Sequence, residues 1–171
     1  LVCFLGALPY LFNGMGLIDS IFESVSGFTT TGVTTVRSFS EFSNSLLAWR
    51  CLTHWFGGIG VIMLFIVIMP QMNSGAGYLF NAELPGAVAE RTLPRIKESA
   101  ALIVGIYTGL TVIEIILLML GGVGFYQAIN LALATMATGG FSFYHDSLIS
   151  FHSIYIEIVC IAFMLIASMN F

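Results

Sequence analysis

Two short segments hold the residue types best suited to chemistry. Thr29-Thr30-Thr31-Gly32-Val33-Thr34 and Ala137-Thr138-Gly139-Gly140-Phe141-Ser142 both set threonine hydroxyls beside glycine within an apolar chain. A dehydrated monovalent cation needs oxygen ligands on several sides, and consecutive backbone carbonyls turned toward one axis supply them most densely. Glycine takes the positive φ of such a turn without strain, and Gly32, Gly139 and Gly140 fit that requirement. Thr30, Thr31 and Thr138 can add hydroxyl oxygens. The candidate ion-lining set is thus Thr30, Thr31, Gly32 and Val33 in the first loop, and Ala137, Thr138, Gly139 and Gly140 in the second.

One Thr-Gly pair in a hydrophobic chain is more often a helix contact or a turn than an ion site. The elements around these two pairs favour the ion site. Of 171 residues, 58% are hydrophobic and 8% charged, the balance of a chain dissolved in lipid rather than water. A helix needs ~20 apolar residues to cross the hydrocarbon core. Leu46 to Met69, closed by Pro70, and Ser99 to Leu120, closed by Gly121 and Gly122, meet that length. Leu1 to Phe12 reads as the tail of a helix and Ile154 to Phe171 as the start of one. With no basic region ahead of its apolar opening at Leu1, the chain reads as a piece of a longer protein rather than a signal peptide.

Leu17 to Phe28 and Gly124 to Thr135 are too short to cross, and each runs into one of the Thr-Gly segments. A short helix, a Thr-Gly loop and then a spanning helix is a re-entrant arrangement. Non-helical backbone at membrane depth is tolerated only where protein buries it or it lines a water-filled cavity. Sliding the chain along itself so that Leu11 meets Leu118 also sets Gly14 on Gly121, Thr31 on Thr138, Gly32 on Gly139, Phe56 on Phe163 and Ile59 on Ile166. The predicted fold is therefore all-α and membrane-embedded, with two pore repeats. The first occupies 1–70, with pore helix 17–28, filter 29–34 and inner helix 46–69. A linker at 71–93 leads to the second at 94–171, with helix 99–120, pore helix 124–135, filter 137–142 and the start of an inner helix at 154–171. Each short helix turns the negative end of its dipole toward its loop, and Asp19 suits the opposite end of the first.

The polar stretch Gln71 to Glu98 carries Arg91, Arg95 and Lys97, which places it in the cytoplasm, with Pro94 in the first turn of the next helix. Gly57-Gly58-Ile59-Gly60 reads as a close-packing helix face, and Glu114 as a buried carboxyl facing other helices. Arg50 and Glu157, near helix ends, read as snorkelling to the interface. Cys3, Cys51 and Cys160 are spaced as apolar fillers rather than disulfide partners, and His54, His145, Asp146 and His152 form no metal-ligand pattern. No nucleophile-base pair, HExxH or phosphate loop points to an enzyme, and the scattered charges, net −4, give no nucleic-acid footprint.

Asp19-Ser20-Ile21-Phe22-Glu23-Ser24-Val25-Ser26-Gly27-Phe28-Thr29-Thr30-Thr31-Gly32 resembles the first pore loop of the Trk/Ktr potassium-uptake family. Trp55-Phe56-Gly57-Gly58-Ile59-Gly60, Ala82-Glu83-Leu84-Pro85-Gly86, Pro94-Arg95-Ile96-Lys97-Glu98 and Ala137-Thr138-Gly139-Gly140-Phe141-Ser142 resemble later landmarks in the same order. The resemblance implies four pore repeats in one chain, of which this sequence carries about the first two, with Gly32 and Gly139 as central filter glycines and K+ as the transported ion. It further implies a multi-pass cell-membrane protein that forms homodimers and docks a cytoplasmic nucleotide-binding regulatory subunit. Two functions follow for comparison: a potassium-selective pore driven by the membrane potential, with or without coupling to sodium or protons, or a non-conducting helix-packing subunit of a larger complex.

Overall fold

The computed structural model describes residues 1–36, 42–73, 89–141, 148 and 151–168, with helical backbone alone at 65–73, 89–97 and 99. Its helices are α1 (Val2–Gly6), α2 (Leu8–Phe12), α3 (Leu17–Phe28), α4 (Asn44–Asn73), α5 (Ala89–Leu120), α6 (Phe125–Met136) and α7 (Ile154–Ser168). Apolar stretches of 21 residues, Asn44–Leu64 in α4 and Ala100–Leu120 in α5, are long enough to cross. At 1.5 Å per residue each measures ~31 Å, the thickness of the hydrocarbon core. Helices α3 and α6 have 12 residues each and cover little more than half that depth.

Both long helices exceed the apolar runs that predict them. Helix α4 continues through Pro70 to Asn73, and α5 starts at Ala89, so Pro94 lies inside it rather than in its first turn. Hydrophobicity marks only the part of a helix that meets lipid, whereas the hydrogen-bonded ladder can run on through polar residues. A proline deletes one bond of that ladder, and in a long helix the remaining bonds and neighbouring groups can carry the turn. The Gln71 to Glu98 stretch is accordingly helical at both ends, while 74–88, including the Ala82 to Gly86 landmark, lie outside the described residues.

The N-terminal apolar stretch is two helices rather than one. Pro9 has no N–H to offer the Leu5 carbonyl, and the Ala7 N–H is shared between Cys3 O (3.1 Å) and Phe4 O (3.3 Å). Ser43 begins α4 by accepting the Leu46 N–H on its hydroxyl at 3.3 Å, satisfying one of the free donors of a helix start. Gly16 and Gly124 precede the two short helices in matching extended conformations, φ/ψ −59/151° and −60/145°.

Polar side chains tie the helices together where lipid offers no partner. Trp49 Nε1 donates to Gly6 O at 3.0 Å and Ser24 Oγ to Cys3 O at 2.7 Å, fastening α1 to α4 and α3. Trp55 Nε1 donates to Thr111 Oγ1 at 3.1 Å, joining α4 to α5, and Tyr155 OH to Leu117 O at 3.2 Å, joining α7 to α5. Tyr126 OH donates to Asn44 O and holds the start of α6 against the start of α4. The core gathers around Ala128, Ala132 and Met136 of α6 with Leu118, Val159 and Phe163. Small side chains on α6 let it lie between longer helices. Cys51 and Cys160 are buried in this packing, Cys3 is half-buried, and all three are free thiols.

The glycine face of α4 is divided in use. A Cβ at Gly57 would strike the Phe28 backbone, 2.8 Å from its carbonyl carbon, and one at Gly58 would come 2.7 Å from the Tyr107 hydroxyl. Gly60 has nothing within 4 Å among the described residues, so there the close-packing expectation holds for the first two alone. Gly57→Ala in the full-length protein should therefore lower stability by about 1–3 kcal/mol through overpacking, while Gly60→Ala should leave it level or slightly higher. Thermal unfolding in detergent reads both; equal losses would contradict the α3–α4 contact described here.

Candidate functional site

Each short helix stops at membrane depth, and its last carbonyls need partners. After α3, Thr30 N–H donates to Gly27 O and Thr31 N–H to Ser26 O, both at 3.0 Å. After α6, Thr138 N–H donates to Thr135 O at 2.9 Å and Gly139 N–H to Ala134 O at 3.2 Å. This pair of bonds is the Schellman cap, which turns the chain through one left-handed residue, usually glycine. Here that residue is Thr30 (φ 54°) and Thr138 (φ 49°).

The same cap closes the helices just ahead of α3 and α6, and there it does use glycine. Gly14 (φ 87°) and Gly122 (φ 89°) are the left-handed residues, with bonds from Gly14 to Leu11 O (3.0 Å), Met15 to Tyr10 O (3.2 Å), Gly122 to Met119 O (3.0 Å) and Val123 to Leu118 O (3.2 Å). The chain thus places glycine at the caps that enter the pore helices and threonine at the caps that open the loops. Left-handed backbone costs an L-residue about 1–2 kcal/mol, and a β-branched one is a genuine outlier there. Strain of this kind persists only where the surroundings impose it.

Two residues further on, Gly32 (φ 75°) and Gly140 (φ 82°) bring the chain left-handed again. This corrects the sequence register by one residue. Gly139 is not left-handed; the counterpart of Gly32 is Gly140, that of Thr30 is Thr138, and that of Val33 is Phe141. Helix bounds agree, since α3 begins at Leu17 and α6 at Phe125 rather than Gly124. Ala137, expected within the filter, is the buried C-cap of α6 and corresponds to Thr29.

The two loops meet at their glycines. A Cβ on Gly32 would strike the carbonyl oxygen of Gly139, so that carbonyl lies against the first loop, and a Cβ on Gly139 would enter the His54 ring. Thr31, Val33, Thr138 and Gly140 are exposed, while Thr30 and Gly32 are half-buried. A cavity of about 450 Å³ adjoins the second loop at Thr135, Thr138, Gly140 and Phe141. Ser142, at the end of the second loop, lies outside the described residues, as do His145 and Asp146.

Behind the loops stands a support that the sequence reading passed over. Glu23 of α3, wholly buried, accepts Thr34 Oγ1 at 2.5 Å and Thr35 N–H at 2.8 Å, fixing the strand that leaves the first loop. Ser26 Oγ donates to Val33 O at 2.6 Å. Arg50 does not snorkel: it is 1% exposed, 3.2 Å from the Glu23 carboxylate, and donates to Thr34 Oγ1 at 3.1 Å. Its guanidinium carbon also sits 4.1 Å over the Phe141 ring, whose other partner is the His54 ring, stacked at 3.9 Å and 23°. Opposite charges on two intramembrane segments, Glu23 and Arg50, were the available clue, because an ionisable group at that depth pairs with another or with backbone.

Glu114 is buried inside the bundle beside Thr135 and Cys160, as expected of a carboxyl facing other helices. Glu157, matched to Arg50 in the sequence repeat, is half-buried, and His152 is exposed.

Comparison with known proteins agrees with this architecture. The family model of the TrkH cation transport protein matches residues 7–171. The Trk system potassium uptake protein TrkH of Escherichia coli K12 is 37% identical over 170 residues, and that of Halomonas elongata 35%; each alignment takes in 97% of this chain and 35% of the relative. The Trk system potassium uptake protein TrkG of Escherichia coli K12 is 32% identical over 155 residues. The crystal structure of the potassium transporter TrkH from Vibrio parahaemolyticus matches all of this chain with a TM-score of 0.83 and 32% identity, over 34% of its own length. The chain therefore spans about a third of the length of these relatives. Its fold is that of an all-α membrane protein with pore-helix units, and the chain belongs to the TrkH family of cation transport proteins.

Proposed function

We propose that the protein takes up potassium across the cell membrane through a pore lined by Thr30, Thr31, Gly32, Val33, Thr138, Gly139 and Gly140, with Ala137 anchoring the second loop. The observation that carries this reading is the repeated cap and turn: a strained left-handed threonine, then a left-handed glycine, at the end of each of two half-length helices. Left-handed residues interleaved with ordinary ones swing successive carbonyls to one side, the arrangement that replaces an ion's hydration shell. The relatives' names, potassium uptake proteins, supply the ion.

Gly140 weighs against the packing-subunit reading. A glycine kept for close contact has a neighbour where its Cβ would be, yet Gly140 has none within 4 Å among the described residues and is left-handed. Its requirement is backbone conformation. The same proposal puts the filters on the outer side of the membrane and the polar end of α5, with Arg91, Arg95 and Lys97, in the cytoplasm. Pairing of two copies and docking of a nucleotide-binding regulator rest on the family resemblance alone.

Substitution of either left-handed glycine tests the reading directly. Gly32→Ser and Gly140→Ser should each cost about 1 kcal/mol or more in local strain and lower the rubidium-to-sodium uptake ratio by up to about tenfold. Gly109→Ser, on an open helix face, should not change it. The assay is uptake by intact cells at matched membrane amounts of full-length protein; parent ratios in both filter variants would remove the filter assignment.

Thr30→Gly separates strain from function. Glycine relieves the β-branched left-handed strain and loses about 0.5–1 kcal/mol in backbone entropy, so stability should hold or rise. The uptake ratio should fall with the hydroxyl. A drop in unfolding temperature with an unchanged ratio would mean the threonine serves the fold alone.

Two filter loops can supply only part of a cage around an ion. The 171-residue chain, purified and shown to be monomeric, should pass no potassium current in a planar bilayer, whereas the full-length protein should. Single-channel currents from the monomer would overturn the need for further loops.

A further inference from the structure

Arg50 stands between the two loops and touches the support of both. On one side its guanidinium pairs with Glu23 at 3.2 Å and donates to Thr34 Oγ1 at 3.1 Å, and Glu23 in turn holds Thr34 and Thr35, the residues that follow Gly32 and Val33. On the other side it lies 4.1 Å over the ring of Phe141, the residue after Gly140. Arg50 and Glu23 are both sealed from solvent. A buried ion pair gives back in attraction about what it costs in desolvation, and apolar residues of the same volume would hold two helices together at least as well. Mere helix packing does not account for a charge here. What the pair adds is direction: a carboxylate with fixed donors on one side and a planar cation spread over an aromatic face on the other.

We propose that Arg50 is a positioning residue shared by the two filter loops, coupling the strand after Gly32 to the strand after Gly140 so that selectivity depends on it through both. This rests on the filter reading above. Lysine cannot replace it, because an ammonium is a point charge and cannot bond a carboxylate and a hydroxyl in one plane while stacking that plane on a ring. His54 completes the second contact by clamping Phe141 from its own stacked ring, and the same ring fills the space beside Gly139. A shift of Phe141 is therefore transmitted to the carbonyl that faces Gly32.

Rubidium and sodium uptake by cells carrying the full-length protein, at matched membrane amounts, tests the coupling. Arg50→Lys should lower the uptake ratio by on the order of fivefold to tenfold. Phe141→Leu, which leaves the Glu23 pair in place, should lower it in the same direction, and Phe141→Tyr should restore it. In the Phe141→Leu background the further effect of Arg50→Lys should shrink, since the part of it that passes through the Arg50–Phe141 contact is already lost. Gly32→Ser is measured in parallel. If it lowers the ratio while Arg50→Lys and Phe141→Leu keep the parent value, the coupling is wrong and the filter reading stands. If none of them changes the ratio, both fall. Additive losses from Arg50→Lys and Phe141→Leu would also overturn the coupling, by showing two independent supports. Should Arg50→Lys fail to reach the membrane, the Phe141→Leu and Phe141→Tyr pair decides alone, with a parent ratio in Phe141→Leu counting against it.

Discussion

A helix that ends inside a bilayer leaves carbonyls with no water to donate to them, and the loops of this chain follow from how two such ends are closed. Both α3 and α6 use the Schellman pair of bonds, with Thr30 and Thr138 in the left-handed turn. The cap satisfies the backbone and at the same time turns the chain sharply, and after α3 the chain runs back beside that helix, Val33 against Ser26 and Thr34 and Thr35 against Glu23. Because the cap is made from the helix's own last carbonyls, the loop's position is fixed to the helix end. The short length of α3 and α6 thus decides the depth at which the Thr-Gly strands lie.

The supports behind the two strands differ in kind. Hydrogen bonds from Thr34 and Thr35 and the ion pair with Arg50 converge on the Glu23 carboxylate behind the first strand, while the second leans on a stack of His54 and Phe141. The two halves share a backbone pattern but are braced differently, one by charge and one by aromatic rings, and Arg50 belongs to both. The backbone geometry of the two is nearly identical, as the paired φ values of Thr30 with Thr138 and Gly32 with Gly140 record. The electrostatic surroundings of the two strands are therefore not identical, a buried ion pair lying behind one and stacked rings beside the other.

Much of this was legible in the sequence because lipid imposes length. A run of ~20 apolar residues crosses and one of 12 does not, and that arithmetic found the two long helices and both short ones. What it could not find were features set by hydrogen bonds rather than by hydrophobicity. Helix α4 runs past Pro70 and α5 begins before Pro94, because the backbone ladder does not stop where lipid does. The repeat register slipped by one residue at Gly139, since the adjacent glycines Gly139 and Gly140 look alike in sequence and only the left-handed turn tells them apart. Threonine at φ > 0 runs against the usual preference of that region, so no propensity argument would place Thr30 and Thr138 there. Arg50 was misplaced because its nearness to a helix end suggested the interface, and its partner Glu23 comes from a different helix.

The proposed pore requires the backbone of these two loops to face the permeating ion. Anomalous diffraction from crystals of the full-length protein grown in rubidium, compared with crystals grown in sodium, addresses it without any substitution. Rubidium peaks are expected on an axis flanked by the Thr30–Gly32 and Thr138–Gly140 strands, within coordination distance of their carbonyl oxygens. Rubidium bound elsewhere in the protein, with these strands unoccupied, would contradict it.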